Sequence, residues 1–560
     1  MIVLPAAWLC WAAWNVFQGL EAARSAEARI RVLSESSPST LVSEATEAAL
    51  TAAQSDVAEA ERRLRNPFVS PLTKAPIIGR NLETGRAMAA SAKRLVDAAV
   101  PAWRELRALS VAGTDVRGVA SAVTDVRRIL SPVLAAVRAA DLGPSADLLA
   151  QVTEARDQFE RKLEELGSVL GNADRVLAAL EKMSSRSGRY LVVAGNNAEM
   201  GSGMGLFLFR GELIADGGRF SVGPFDRPDA ALKSSVALPA DLSARWDSLV
   251  TGKELSTVSM SARFDQVAEA SADIVTAQGR GPYDGVVYVD PLFLREALRL
   301  TGPVEAFGER VTADSVVQLL LSDQYAAPDF EERGQRSLAL ALLTQSAAQR
   351  LLNERMDPVE LFEVLRRSAD GRHLMLWSRD PVEQAGWEAA GAAGMLRPRS
   401  LAVNLLNRGA NKLDWWVDID ATMTTREVAN GTEARLSVTV TNRATADLPR
   451  YVLGDRYKGD YLGVLSFHAP ARSTLSADGH DGLLVQGPDG PVEATAVLLW
   501  IRRGQSRTVT ATMYVTRNGP IRIEPSARAR PVRWTVDGRS FDDARARTVP
   551  LAAGAAPVAR

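Results

Sequence analysis

Two asparagines and a glutamate stand at the mouth of a glycine-rich loop, and they are the side chains in this sequence best suited to hold a ligand. Asn196, Asn197 and Glu199 are followed by glycines at positions 201, 203 and 205. Amide and carboxylate groups can fix a polar ligand, and glycine lets backbone N–H groups approach it closely. The alternative is a tight turn whose asparagines hydrogen-bond their own backbone. The residue types alone favour the turn, so the sequence does not disclose a reaction.

The composition argues against several other kinds of site. The chain has 560 residues and a net charge of −1, so nothing global indicates a nucleic-acid partner. Its single cysteine, Cys10, cannot form an intrachain disulfide or a cysteine metal cluster. His373, His468 and His480 lie far apart in the sequence, which argues against a multi-histidine metal site. A Ser-His-Asp triad would depend on one of these three.

The first twenty residues carry no charge. The segment Met1–Leu20 is apolar and has about the length, roughly 20 residues, of one membrane-spanning helix. A cleaved signal peptide is the alternative, but no basic segment precedes the apolar run and no clear small-x-small site ends it. We therefore expect residues 1–20 to anchor the protein in the lipid bilayer of the cell membrane by a single pass.

Residues 21–186 are rich in Ala, Glu and Arg, with apolar residues at helical spacing. We expect four helical segments that form an antiparallel stalk or bundle. Pro132 predicts a kink or break in the third segment, and Ser145 predicts the N-cap of the fourth. A spacer that holds the next domain away from the membrane is the favoured interpretation. An oligomerising coiled coil is the alternative, although the heptads are irregular.

After residue 186 the pattern changes twice. Over residues 187–412 short apolar strands alternate with helices, which predicts an α/β core. Over residues 413–551 short strands are bounded by Asn-Gly and Asp-Gly turns, which predicts an immunoglobulin-like β-sandwich whose first strand starts at Leu413. Residues 552–560 are small and predict a disordered tail. The whole is a multidomain α+β protein.

Besides Asn196–Met200 and its glycine cluster, five blocks stand in order along the chain: Asn66–Leu82, Asp284–Pro291 with Thr301–Val304, Ser322–Tyr325 with Arg333, Gly371–Ser378, and Asn407–Asp414. This motif and the five blocks resemble the bacterial family known as domain of unknown function 4012. The resemblance implies an exported, membrane-anchored protein of unestablished biochemistry, mostly from actinobacteria, with the bulk of its chain outside the cytoplasm. One departure stands out, because the family usually has Arg where this chain has Gly201.

The segments Asp284–Pro291 and Asp329–Arg336 are also similar to the core of the LytR-CpsA-Psr proteins, which transfer glycopolymers from polyprenyl diphosphate carriers to the cell wall. This similarity implies that Arg333 and Arg336 hold phosphate. It also implies that Asp323 and Asp329 bind a divalent cation such as Mg²⁺. Asn196, Asn197 and Glu199 would line the same pocket. In the alternative interpretation Asp329 and its neighbours only favour the start of a solvated helix.

Two functions follow from these patterns. The first is a cell-envelope protein that binds a polyprenyl-phosphate or a cell-wall glycopolymer in its α/β core; if it is an enzyme, a LytR-CpsA-Psr-like phosphotransferase is expected, although no catalytic residue can be assigned. The second is a non-enzymatic envelope scaffold. Its β-sandwich would bind a protein or a glycan, with Trp415–Trp416 and Asp455–Lys458 as candidate contacts. The protein partner stays unknown in both.

Overall fold

The computed structural model describes residues 44–67, 69–112, 119–306, 308–325, 333–353, 356–515 and 519–551, and for residues 333–341 it describes the backbone alone. The predicted membrane helix at residues 1–20 and the predicted tail at residues 552–560 lie outside these ranges. Within them, no helix has both the length and the apolar character that a membrane span requires. The chain divides into two compact units, with most residues up to Glu181 in the first and most later residues in the second.

The first unit, here called the helical unit, is built from long helices. Their bounds are Glu44–Leu64 (α1), Pro76–Ala112 (α2), Val119–Arg138 (α3) and Ala150–Ser185 (α4, through Glu181 in this unit), with a 3-10 turn at Ser70–Lys74. Small apolar side chains let neighbouring helices approach closely. Ala53 and Val57 of α1 pack on Val96 and Val100 of α2. Leu64 contacts Leu82 in a second cluster nearer the turn.

Two local predictions in the helical unit need correction. Helix α3 continues through Pro132, so the predicted break is absent, while the alternative kink stays a prediction. Helix α4 begins at Ala150, five residues after the predicted N-cap Ser145. The intervening chain is irregular because its backbone N–H groups have other acceptors: Leu149 N donates to Asn81 Oδ1 at 2.8 Å.

The second unit, here called the sheet unit, starts with a five-stranded sheet in the order β3-β2-β1-β4-β7. The strands are Gly188–Met200 (β1), Gly205–Asp216 (β2), Arg219–Val222 (β3), Gly285–Val289 (β4) and Leu374–Ser378 (β7). Strands β1 and β4 are parallel, and the other pairs are antiparallel. The carboxyl ends of the parallel strands β1 and β4 therefore point to the same edge of the sheet. In open α/β sheets this edge is the usual place for a ligand.

Both faces of this sheet are covered, as the alternation of side chains along a strand requires. Leu191 and Val286 face a core shared with helix Phe264–Ala277 (α6). Val192 and Val287 face the opposite side, towards helices Pro291–Thr301 (α7) and Arg333–Asn353 (α9). The remaining elements of this part are Ala240–Trp246 (α5), Val304–Ala306 (β5), Glu309–Val311 (β6), Val316–Leu321 (α8), Pro358–Asp370 (α10), Pro381–Ala389 (α11) and the 3-10 turns Leu255–Met260 and Asp323–Tyr325.

Two six-stranded sheets follow, in the orders β12-β15-β10-β9-β17-β18 and β13-β14-β11-β8-β16-β19. The strands are Ser400–Asn407 (β8), Val417–Val428 (β9), Gly431–Asn442 (β10), Tyr461–Pro470 (β11), Thr474–Asp478 (β12), Gly482–Asp489 (β13), Val492–Ile501 (β14), Ser506–Val515 (β15), Ile521–Ile523 (β16), Arg533–Val536 (β17), Arg539–Asp542 (β18) and Arg547–Val549 (β19), with a short helix at Arg450–Leu453 (α12). Side chains from both sheets form one core. The mixed α+β class is confirmed, while the division into the predicted domains stays a prediction.

The first strand of these sheets does not start at Leu413, as the sequence predicted. Strand β8 precedes that residue, and Leu413–Trp416 is a 3-10 turn before β9. Leu413 and Asp414 are both buried. Asp414 is held there by hydrogen bonds from Tyr461 Oη and Arg528 Nη1, both at 2.9 Å. Trp415 and Trp416 are both partly buried against the sandwich core, and their role as contacts of the scaffold hypothesis stays a prediction.

Candidate functional site

Asp290 is the centre of a polar cluster at the carboxyl edge of the parallel strands. It directly follows β4, and its Oδ1 accepts hydrogen bonds from the N–H groups of Leu292 and Phe293 at 2.9 and 3.0 Å, which caps helix α7. Its Oδ2 lies 2.8 Å from His373 Nδ1 and 3.0 Å from Asn197 Nδ2. A carboxylate oxygen accepts a hydrogen bond from an imidazole that carries its proton on Nδ1, and this geometry suits that form of His373.

Asn197 is buried and connects the N-cap of α7 to the loop before β17. Besides Asp290, its Nδ2 donates to the carbonyl oxygen of Ala527 at 2.7 Å, in the loop before β17. Its Oδ1 is buried and has no hydrogen-bond partner among the described residues. Both donor hydrogens are therefore used within the protein, and only the Oδ1 acceptor of this side chain is left without a partner among the described residues.

Asn196 points to a different neighbour. Its Oδ1 accepts from Ala198 N, and its Nδ2 donates to Tyr325 Oη at 3.0 Å. Burial raises the pKa of Tyr325, so the phenol is neutral at physiological pH and can accept this bond. Part of Asn196 lines the cavity described below.

Glu199 forms an ion pair with the buried Lys412, and its own side chain is partly buried. Burial alone would lower the pKa of Lys412, but the adjacent carboxylate of Glu199 outweighs it, and the pKa lies above its ordinary value. The amine therefore stays charged. Because Glu199 is committed to this partner, it does not offer a free carboxylate to a metal or a substrate.

The glycine loop after Met200 is held by a buried arginine. Arg372 donates to the carbonyl oxygens of Gly203, Gly394 and Ala262 at 3.1, 3.0 and 2.7 Å. Burial lowers the pKa of Arg372. A side chain at Gly201 would run into the carbonyl oxygen of Ser259, so this chain has no room for the arginine that the resembling family usually carries there.

The end of the motif is anchored to the sandwich through Asp414. Its Oδ2 accepts from Met200 N at 3.1 Å and from Asn407 Nδ2 at 2.8 Å. Its Oδ1 accepts from Tyr461 Oη and from Arg528 Nη1, both at 2.9 Å. The Asn-Asn-Ala-Glu-Met segment thus joins the five-stranded sheet to the β-sandwich, and its polar groups serve mainly that connection.

A cavity of about 200 Å³ lies beside this cluster, between the five-stranded sheet and helices α7 and α9. The sheet lines it with Val192, Ala194, Phe209, Leu213, Val222, Val287, Val289 and Leu374, and the helical side with Phe225, Pro291, Phe293, Leu294, Ala297, Leu320, Thr344, Ala347, Ala348, Leu351 and Leu352. Gly195, Asn196, Asp290 and Gln324 complete the wall. The buried Gln324 Oε1 has no partner among the described residues. An apolar cavity with few polar groups at one end is typical of a small-molecule site.

The other predicted site residues lie apart from this cavity or outside the described atoms. Asp323 is exposed on a 3-10 turn, where it accepts a long bond from Gln318 Nε2 at 3.4 Å. Arg333 begins helix α9 and Arg336 follows three residues later, in the stretch described by its backbone alone. Asp329 lies outside the described residues. Among the described side chains no group of three or more His, Cys, Asp or Glu is placed to hold a metal.

Sequence reasoning did not assign a role to Asp290, His373 or Arg372. These residues are brought together by strands β4 and β7, which neighbour each other in the sheet but lie 83 residues apart at the Asp290–His373 contact. The one sequence signal was the Asp-Pro that starts helix α7, which predicts a cap and not a cluster. Apart from the apolar residues of the strands that line it, no sequence pattern predicted the cavity.

Comparison with known proteins matches the central part of the chain to one family. The model of the family described as Protein of unknown function (DUF4012) matches residues 187–325, which include the Asn-Asn-Ala-Glu-Met segment, β4 and α7. No curated protein and no solved structure matches the chain. The actinobacterial source and the likeness to the LytR-CpsA-Psr proteins therefore stay predictions, and the match over residues 187–325 supports the DUF4012 family.

Proposed function

We propose that the sheet unit binds the apolar chain of an envelope lipid of the polyprenyl-phosphate class, in the cavity between the five-stranded sheet and helices α7 and α9. The observation that carries the proposal is the cavity itself, which is lined almost wholly by apolar side chains. In this proposal residues 1–20 anchor the protein in the cell membrane, with the rest of the chain outside the cytoplasm, where such lipids are presented.

The cavity is large enough to hold a short stretch of hydrocarbon chain. Its volume is about 200 Å³. An apolar cavity of about 150 Å³ binds benzene, so by proportion about eight carbon atoms fit here. Burying each CH₂ contributes about 0.8 kcal/mol, or about 6 kcal/mol in all before the loss of chain freedom is subtracted. The cavity therefore takes part of a polyprenyl chain and leaves the remainder outside.

The phosphate is assigned to Arg333 and Arg336. They lie in the first turns of α9, and Thr344 in the same helix lines the cavity. Eight residues separate Arg336 from Thr344, which is about 12 Å along a helix at about 1.5 Å per residue. A lipid with its phosphate at the helix start could place its chain in the cavity. Arginine is suited to this role because its planar donors match a phosphate bidentately.

A binding assay with the full chain tests the proposal. The probes are farnesyl phosphate and farnesol, each with Mg²⁺ and with EDTA. Ala348→Phe fills the cavity from α9, and Gln349→Phe places the same ring at the adjacent exposed position as a control. We expect Ala348→Phe to weaken farnesyl phosphate binding by about tenfold or more, equivalent to about 1.4 kcal/mol, and Gln349→Phe to leave it unchanged. The cavity is not the site if Ala348→Phe and Gln349→Phe bind farnesyl phosphate equally well. This conclusion requires that both variants keep the wild-type circular dichroism spectrum.

The scaffold function keeps one supporting observation. Trp500 is 50 % exposed on strand β14 and lies edge-to-face against Tyr457 at 5.6 Å. Its Nε1 donates to Asp460 at 3.1 Å, which fixes the ring on the surface. Exposed, oriented aromatic rings are common at protein interfaces. Cross-linking in membranes tests this function, and a partner captured by the wild type and equally by Trp500→Ser would exclude this surface.

A further inference from the structure

The helical unit contains an open polar pocket that is separate from the cavity of the sheet unit. Its volume is about 620 Å³, and it lies between the end of α1, the middle of α2 and the end of α3. Three arginines line it together with one aspartate and three alanines: Arg65, Arg86, Arg94, Asp141, Ala87, Ala90 and Ala139. The lining therefore has more positive than negative charge.

Two of the three arginines are held in place by neutral groups. Arg86 Nε donates to the carbonyl oxygen of Leu64 at 2.7 Å. Arg94 Nη2 donates to Ser91 Oγ at 2.9 Å, and Ser91 Oγ is itself fixed by the backbone N–H and carbonyl of Asp141. Neither arginine has a carboxylate partner within the described part of the chain. Arg65 differs, because its Nε lies 3.2 Å from Glu61.

One N–H donor of Arg86 has no acceptor among the described residues. Arg86 Nη2 is buried and makes no hydrogen bond to any described residue. Burial, and then the positive charge of Arg65, lower the pKa of Arg86. A buried donor without an acceptor costs about 1–3 kcal/mol, and more when it is charged. An anion in the pocket would offset the repulsion between the guanidinium groups of Arg65 and Arg86.

We propose that this pocket binds a phosphate group through Arg86 and Arg94, carried either by a lipid headgroup or by free phosphate. Arg86, Ala90 and Arg94 are four residues apart on α2 and share one face of the helix. Alanine at position 90 leaves the space between the two guanidinium groups open. The planar donors of arginine match the oxygens of a phosphate, whereas the neutral oxygens of Leu64 and Ser91 that hold Arg86 and Arg94 cannot neutralise their charge. The proposal does not depend on the lipid cavity, because the residues belong to the other unit.

The first test introduces a competing charge without removing an arginine. Ala90→Glu places a carboxylate between Arg86 and Arg94, and Ala90→Gln places a side chain of the same shape without the charge. Both residues are good helix formers, so α2 is retained. We expect calorimetric titration of the full chain with inorganic phosphate to show binding in the wild type and in Ala90→Gln. Binding in Ala90→Glu should be weaker by about tenfold or more. Phosphate binding that is measurable and equal in the two variants overturns the proposal. If the wild type binds no inorganic phosphate, the same two variants are compared on the phosphatidic acid vesicles described below.

A second pair of variants tests the arginines themselves. Arg86→Gln and Arg94→Gln should each lose phosphate binding. Arg62→Gln changes an arginine of α1 that is 71 % exposed, paired with Glu59 and not part of the pocket lining, so it should bind as the wild type does. The two possible sources are separated with phosphatidylcholine vesicles with and without phosphatidic acid. Arginine-dependent binding to the phosphatidic acid vesicles but not to inorganic phosphate assigns a lipid headgroup, and binding to both admits free phosphate. Binding to neither probe overturns the proposal.

Discussion

His468 is a buried histidine whose protonation should weaken the fold as the pH falls. It lies in β11 with no exposed surface, and its ring stacks on Trp246 at a centroid distance of 5.8 Å. Neither ring nitrogen has a hydrogen-bond partner among the described residues. Asp489 Oδ2 is 3.8 Å from Nε2, too far for a hydrogen bond. Burial, followed by the charges of Arg372 and Arg263, lowers the pKa of His468 from 6.5 to about 3.

The size and sign of the effect follow from these two pKa values. Below about pH 6.5 the unfolded chain binds a proton at His468, and the folded chain does not bind it until the pH reaches about 3. Stability is therefore lost as the pH falls through this window. Lowering the pH from about 7.5 to about 5 should remove about 2 kcal/mol through His468 alone.

Asp543 acts in the opposite direction, and the experiment must separate the two. Burial raises the pKa of this carboxyl from 3.8 to about 6. The folded chain thus binds a proton between these values while the unfolded chain does not. The same change in pH should add about 1 kcal/mol of stability through Asp543. The wild-type profile alone would hide much of the histidine contribution.

The substitution His468→Phe isolates that contribution. Phenylalanine keeps an aromatic ring against Trp246, cannot be protonated, and removes two buried nitrogens that lack partners. The free energy of unfolding of each protein would be measured by urea titration with tryptophan fluorescence at about pH 7.5 and about pH 5. The stability of the variant relative to the wild type should rise by about 2 kcal/mol between these pH values.

The comparison does not depend on how well phenylalanine packs, because any packing cost is present at both pH values. The contribution of Asp543 also cancels, since both proteins retain it. A difference between variant and wild type that is the same at both pH values would refute the reasoning. It would mean that the imidazole is accessible to protons in the folded protein, or that water molecules satisfy its nitrogens.

Two further changes test the contacts of Glu199 and of the glycine loop that follows it. Lys412→Met leaves the partly buried Glu199 without its partner and should lower the free energy of unfolding, by at most the about 3–5 kcal/mol of a fully buried pair. Adding Glu199→Gln should restore part of this loss. A double variant no more stable than the single one would show that the pair is not the cause. Gly201→Ala drives a methyl group into the carbonyl oxygen of Ser259 and should lower the thermal midpoint, at a cost of about 1–3 kcal/mol, whereas an unchanged midpoint would show that this loop yields easily.

The secondary structure around the motif was largely predictable from local pattern. The apolar run at Tyr190 lies in β1, and the run beginning at Val286 lies in β4. The Asp290-Pro291 pair begins a helix, as the cap preference of aspartate and the fixed φ of proline predict. These are local effects, so residues adjacent in sequence were enough to predict them.

Local pattern was insufficient where a distant group competes for the backbone or the side chain. Ser145 has the right type for an N-cap, yet the next helix starts at Ala150. The segment at Leu413 alternates like a strand, yet it turns because Asp414 is drawn inward by Tyr461 and Arg528. In each case tertiary contacts outweigh a preference worth a fraction of a kcal/mol to about 1 kcal/mol.

For the candidate site too, local pattern predicted some features and tertiary contacts decided the others. Composition and periodicity established from the residues alone that the motif is polar, glycine-rich and placed after a buried strand. They could not establish that Asn197, Glu199 and Gly203 are engaged by Asp290, Lys412 and Arg372. Those partners lie far along the chain, and the packing of the two layers brings them together. The apolar cavity arises in the same way, because it is enclosed by strands and helices whose spacing no single segment encodes.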